Sequence, residues 1–189
     1  MKKLNISALS KIACLAAILI IMVTNTAHSQ TSVLDVGARV QKAIGLYTEN
    51  GITVNYSSKD HAPDRLYVGF SYYTSRLGTA LGSNAIKQDN FLVSGAWYFR
   101  YKHVIRPLVR ANLGYFTSQY PAMFTTLPHN SMLASAETGI CIQTHTPLKI
   151  AGTFGYNLIY GQGNNNTPGT LYPLFYQLTL SWNILKPAK

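Results

Sequence analysis

The 189-residue chain carries 16 Lys and Arg against 6 Asp and Glu, a net charge of +10 at pH 7, and only 12% of its residues are charged. Its two cysteines, Cys14 and Cys141, are too few and too badly placed for a disulfide scaffold. The length suits a single domain, and the scattered basic residues argue against nucleic acid as a partner, leaving lipid headgroups as the expected counter-charge.

The opening MKKLNISALSKIACLAAILIIMVTNTAHSQ has basic residues at Lys2, Lys3 and Lys11, then an apolar run from Ile12 to Val23. Small residues at Ala27 and Ser29 complete a cleavage pattern, so residues 1–29 are expected to be a secretory signal peptide, cut after Ser29. The run is too short for a comfortable membrane-spanning helix. The remaining domain, residues 30–189, carries a net charge of about +7. With Cys14 removed, Cys141 is left alone.

Beyond the leader the apolar residues recur with period two, between clusters of Gly, Pro, Asn and Asp, which predicts strands. The first is expected over Val33–Tyr47, with Leu34, Val36, Ala38, Val40, Ile44 and Leu46 on one face and Lys42 interrupting it. The second spans Ile52–Ser58, the third Arg65–Ser75 and the fourth Phe91–Arg100. The fifth spans Arg106–Thr117, the sixth Met132–Thr144, the seventh Leu148–Tyr160 and the eighth Tyr172–Leu185. Most are longer than ordinary soluble strands and match the about nine to eleven tilted residues that cross a bilayer.

Connection lengths alternate. SKDHAPD, YKHVI and HTP are short, while Leu77–Asn90, Ser118–Ser131 and Gly161–Leu171 are long. TENG, Thr48–Gly51, is an exception, a short turn where the order requires a long loop. Short turns at one end and long loops at the other is the pattern of an outer-membrane barrel, with both termini at the short-turn end.

The second face of each strand decides the environment. It holds Gly37, Gln41, Thr53, Asn55, Ser71, Ser94, Asn112, Thr153, Asn157, Gln177, Thr179, Ser181 and Asn183. A face turned to water should be rich in Lys, Glu and Asp, whereas small uncharged groups suit a narrow interior. The charges of that parity, Asp35, Arg39, Arg110 and Glu137, would have to pair there. We expect them to form one polar network in the lumen. On the other face, Tyr72, Phe91, Tyr115, Tyr160 and Tyr172 lie toward the long loops. Tyr56, Leu66, Phe99 and Trp182 lie toward the short turns. Two aromatic girdles fit two headgroup zones.

These features together resemble the small eight-stranded outer-membrane barrels of Gram-negative bacteria, the OmpA-transmembrane and OmpX-like group. The resemblance covers the chain beyond the leader. It implies an all-β, eight-stranded antiparallel up-and-down transmembrane barrel in the cell outer membrane, with a non-catalytic anchoring or surface-interaction role. It also implies lipid and lipopolysaccharide as surroundings and a surface partner for the loops. Leu178, Leu180 and Trp182, in LTLSWNI, resemble the final-strand signal that such proteins present to the barrel-assembly machinery, although LKPAK follows where the family often ends in an aromatic residue. The leader ending AHSQ resembles small barrels of the Bacteroidetes.

Two alternatives stay open. His129 and Ser131 in LPHNSM, followed by Glu137, resemble part of the triad of lipid A 3-O-deacylases. There the His would act as base, the Ser as nucleophile and the Glu as orienter. The residues after Ser131 depart from that family's pattern, and Glu137 follows too soon. No pairing of His with Asp-Ser suggests the palmitoyltransferase barrels. The second alternative is a soluble periplasmic ligand-binding barrel with aromatics inside. His61, His103, His129 and His145 are dispersed, so neither a metal nor a cofactor is expected, and Cys141 is read as a small buried filler.

Overall fold

The structure, a computed structural model, describes residues 32–44, 48–58, 65–76, 87–100, 102–119, 129–143, 146–160 and 173–185. The leader, Tyr172, Leu46, His61 and His145 fall outside the described residues, so the expectations placed on them have no structural counterpart.

Eight strands run in chain order: β1 Val33–Ala43, β2 Thr48–Ser57, β3 Leu66–Thr74, β4 Lys87–Tyr98, β5 Ile105–Gln119, β6 Asn130–Gln143, β7 Leu148–Ile159 and β8 Leu174–Asn183. Each pairs antiparallel with its neighbours, and β8 closes on β1. The architecture is an up-and-down all-β barrel. Closure removes the exposed edges that an open sheet would present.

The register sets the tilt. A row of paired residues starts at Leu34 and passes through Tyr56, Val68, Gly95, Ala111, Ala136, Tyr156 and Leu174. It returns to β1 where Ile44 N–H donates to the Leu174 carbonyl, about ten residues beyond its start. Such a stagger requires strands inclined by roughly 40° to the barrel axis.

The largest differences from the sequence reading lie at the β1–β2 connection and at the start of β4; the other strand ends shift by no more than two residues. TENG is not a turn. Thr48, Glu49, Asn50 and Gly51 pair with Lys42, Gln41, Val40 and Arg39, so β1 ends at Ala43 and the connection is residues 44–47. Turn-favouring composition loses here because Glu49 finds lumen partners and Gly51 allows close approach. A Cβ on Gly51 would overlap the Tyr72 carbonyl oxygen. Likewise KQDN, expected in a loop, forms the start of β4, paired with Gln119–Phe116 of β5.

The two faces are inverted relative to a water-soluble barrel. Arg39, Gln41, Thr53, Ser71, Asn112, Thr179 and their same-parity neighbours are buried. The large exposed side chains are apolar, among them Ile52, Leu113, Met132, Leu178 and Ile150. Isolated exposed apolar residues are common, but a belt of them around the whole circumference is not found on a monomeric soluble protein.

Candidate functional site

The interior holds two apolar clusters and a polar network. At the end carrying the short turns, Val33, Tyr67, Ala96, Leu108, Cys141 and Ala151 form an apolar cluster. At the long-loop end Tyr73, Leu92, Phe116, Leu133 and Ile159 form another. A band of buried polar side chains fills the lumen between the clusters and continues beside them, to Lys149 at one end and Gln88 at the other. Groups in such a band must satisfy one another, because each unpaired one costs about 1–3 kcal/mol.

Glu137 of β6 is the hub. Arg39 of β1 donates through Nη2 to Glu137 Oε1 at 3.0 Å, and Asn112 Nδ2 donates to the same oxygen at 2.8 Å. Thr153 Oγ1 donates to Oε2 at 3.0 Å, and Arg110 Nη1 lies 3.6 Å from Oε2. Arg39 also donates to Gln41 Oε1, and its guanidinium lies 4.7 Å from the Tyr73 ring centroid. The chain continues upward. Gln41 Nε2 donates to Glu49 at 2.9 Å, Asn90 Nδ2 donates to Glu49 at 2.7 Å, and Gln88 Nε2 donates to Asn90 Oδ1.

Of the four charges expected in one network, the structure brings together Arg39, Arg110 and Glu137. Asp35 belongs elsewhere. It lies nearer the short-turn end and accepts from Lys149 Nζ of β7 at 2.5 Å, while Lys149 also donates to the Tyr67 hydroxyl at 3.2 Å. The single network is therefore corrected to two clusters, because stagger sets Asp35 and Arg39 at different heights and their partners with them. Sequence reasoning passed over Glu49 and Lys149. Both share the inward parity of their strands, Glu49 with Thr53 and Asn55, Lys149 with Thr153 and Asn157. Extending the alternation to the strand ends would have found them. Among the described residues the buried ionisable side chains are Asp35, Glu49 and Glu137 and Arg39, Arg110 and Lys149, three acids and three bases.

The residues of the hydrolase alternative do not converge. His129 is exposed, and its carbonyl accepts from the Ser118 N–H at 2.6 Å. Ser131 pairs with Phe116 at the rim. Glu137 sits six positions further along the same continuous strand, roughly 20 Å from Ser131. Its carboxylate is committed to Arg39, Arg110, Asn112 and Thr153. Among the described residues no three His, Cys, Asp or Glu gather as metal ligands would.

Phe91, Tyr115 and Tyr160 point outward toward the long loops, and Phe99 and Trp182 outward toward the short turns. Tyr72 is half-buried against Phe91, ring centroids 5.0 Å apart, and donates its hydroxyl to Asp89 at 3.1 Å. Leu178, Leu180 and Trp182 form an outward row on β8, beside Val40, Ala38 and Val36 of the strand that closes the barrel.

No protein-family model and no curated protein matches the chain. Solved structures do. The N-terminal β-barrel domain of Pseudomonas aeruginosa OprF aligns at 12% identity and TM-score 0.57, covering 82% of this chain and 98% of that one. The de novo designed transmembrane barrel TMB2.3 aligns at 14% and 0.52, covering 85% and 99%. Neisserial surface protein A aligns at 13% and 0.50, covering 82% and 96%. At these identities the likeness concerns the fold, which is that of the small eight-stranded outer-membrane barrels.

Proposed function

We propose that the chain is an integral outer-membrane barrel that acts as an anchor, presenting its long-loop rim to lipopolysaccharide or a surface partner, without catalysis. The observation that carries this reading is the inverted side-chain distribution, with a hydrogen-bonded polar network inside and an apolar belt outside. In lipid the closed arrangement removes the open sheet edge and lets the strands pair their backbone groups with both neighbours. A soluble ligand-binding barrel would instead need an open cavity inside, and two apolar clusters occupy that space. The same clusters argue against a general diffusion pore.

Outer-membrane lipid is the immediate surrounding in this reading. Lys42, Arg76 and Lys87 toward the long-loop rim suit lipopolysaccharide phosphates. Leu178, Leu180 and Trp182 on the closing strand are the residues we assign to recognition by the barrel-assembly machinery. The test is fractionation of expressing cells, followed by electrophoresis with and without boiling. The expected result is recovery with outer membranes and faster migration of the unboiled band. Recovery in the soluble periplasm with a single band overturns the proposal.

A further inference from the structure

We propose that the lumen around Glu137 is a binding site for ordered water, about two molecules that complete the hydrogen bonding of Arg39, Arg110, Asn112, Asn157 and Gln177. The inference goes beyond the anchoring role and does not rest on it.

Five buried polar atoms carry it. Arg39 Nε, Arg110 Nε, Asn112 Oδ1, Asn157 Oδ1 and Gln177 Oε1 have no hydrogen-bond partner among the described residues. All five side chains are more than nine-tenths buried, so bulk solvent does not serve them. A bare atom of this kind bears the full loss of its hydration, and native interiors keep few of them. Turning the amides over does not remove the deficit. Asn112 Nδ2 donates to Ser135 Oγ and to Glu137 Oε1, both at 2.8 Å, and the reversed amide breaks both bonds. Gln177 Nε2 donates to Thr179 Oγ1 at 2.9 Å, and the reversed amide leaves the nitrogen bare in place of the oxygen.

The register gathers these side chains about one carboxylate. Ser135 pairs with Asn112 on one side and with Asn157 on the other. Arg110 pairs with Glu137, and Gln177 pairs with Thr153, whose hydroxyl donates to Glu137 at 3.0 Å. Arg39 comes across from β1 with Nη2 on the same carboxylate at 3.0 Å. The inward residues between them are short. Ser94 and Ser135 flank Asn112, and Thr153 lies beside Gln177. An eight-stranded interior is filled only where its side chains are long enough to meet, so short ones leave space for a small occupant.

The deficit is mixed, and that identifies the occupant. Two guanidinium Nε–H groups need an acceptor, and three amide oxygens need a donor. A halide would serve the guanidiniums and meet the oxygens unfavourably. An alkali cation would serve the oxygens and sit beside two arginines. Water donates and accepts at once and takes about three partners, so about two molecules suffice for the five atoms. The hub then joins strands β1, β5, β6, β7 and β8 through water as well as through Glu137.

The test uses the isotope-labelled protein folded in phospholipid nanodiscs. Water cross-peaks are recorded in NOE and ROE spectra at the Arg39 and Arg110 Nε–H groups and at the side-chain amides of Asn112, Asn157 and Gln177. We expect cross-peaks at all five side chains, with opposite signs in the two spectra, which marks bound water and not proton exchange. Asn157→Leu removes one oxygen at similar volume. It should weaken the water cross-peak at Asn112 at least about three-fold and lower the urea midpoint. Were the oxygen bare, the apolar side chain would relieve it and the midpoint would rise. A raised midpoint, or an Asn112 cross-peak unchanged by the substitution, overturns the site. So does the absence of cross-peaks at Arg39 and Arg110 in the unaltered protein. A saturable shift of the two Nε–H signals with added bromide, or of the amide signals with added rubidium, overturns water as the occupant in favour of the ion. Each sample is also run boiled and unboiled. A heat-modifiable sample without water cross-peaks rejects the site and leaves the barrel standing.

Discussion

Arg39 and Glu137 meet inside the barrel at 3.0 Å although 98 positions separate them in the chain. Neither side chain is exposed. A buried pair of this kind is weak evidence of net stability, since both charges lose their water. What it does establish is dependence. Removing one member leaves the other charged and enclosed.

Glu137 holds two guanidiniums, so its loss should be the costliest change in the lumen. Glu137→Ala is expected to destabilise the barrel by about 3–5 kcal/mol. Arg110→Met should cost clearly less, because Glu137 would retain Arg39, Asn112 and Thr153. Urea unfolding in phospholipid vesicles, followed by the gel shift, ranks the two. Equal costs would mean that Glu137 is not the hub.

The belt makes a depth-dependent prediction. Leu178 lies midway along β8 and Ile184 just beyond its end, and both are more than half exposed. Arginine at the bilayer midplane costs about 2–4 kcal/mol, falling to about 0–1 near the interface. Leu178→Arg should therefore be severe and Ile184→Arg mild. A soluble barrel would tolerate both, since each position would already face water.

Two glycines separate interior from exterior crowding. A Cβ at Gly114 would overlap the Phe91 carbonyl oxygen and approach Leu92 Cδ2 to 2.7 Å, whereas a Cβ at Gly152 meets nothing within 4 Å. Gly114→Ala should destabilise by about 1–3 kcal/mol through forced strand displacement. Gly152→Ala should be neutral or slightly stabilising, since alanine loses less backbone freedom. Thermal shifts of the gel transition compare the pair.

Catalysis by His129 and Ser131 with Glu137 has no geometric support, because Glu137 lies six positions along the strand from Ser131 and its carboxylate is engaged by Arg39, Arg110, Asn112 and Thr153. Lipid A from cells producing the protein should have the same acylation as lipid A from cells producing the His129→Ala with Ser131→Ala variant. Mass spectrometry of extracted lipid A measures this, and an acyl chain released only by the unaltered protein would restore the hydrolase alternative.

Period-two alternation was enough to place eight strands and to sort Gln177, Thr179, Ser181 and Asn183 from Tyr176, Leu178, Leu180 and Trp182. Facing is a local property, since each Cβ alternates with the pleat. The absence of Lys, Glu and Asp from most of the inward set was likewise readable along the chain. Strand ends were less legible. Glu49 and Gly51 have the composition of a turn, and only their partners Gln41, Asn90 and Arg39 draw them into β2.

Which inward residues touch was decided by the tertiary structure alone. Lys149 reaches Asp35 across 114 positions, and Arg39 reaches Glu137 instead of forming one cluster with Asp35. Contacts across a lumen depend on the stagger accumulated over all eight pairings, and no single strand encodes that sum.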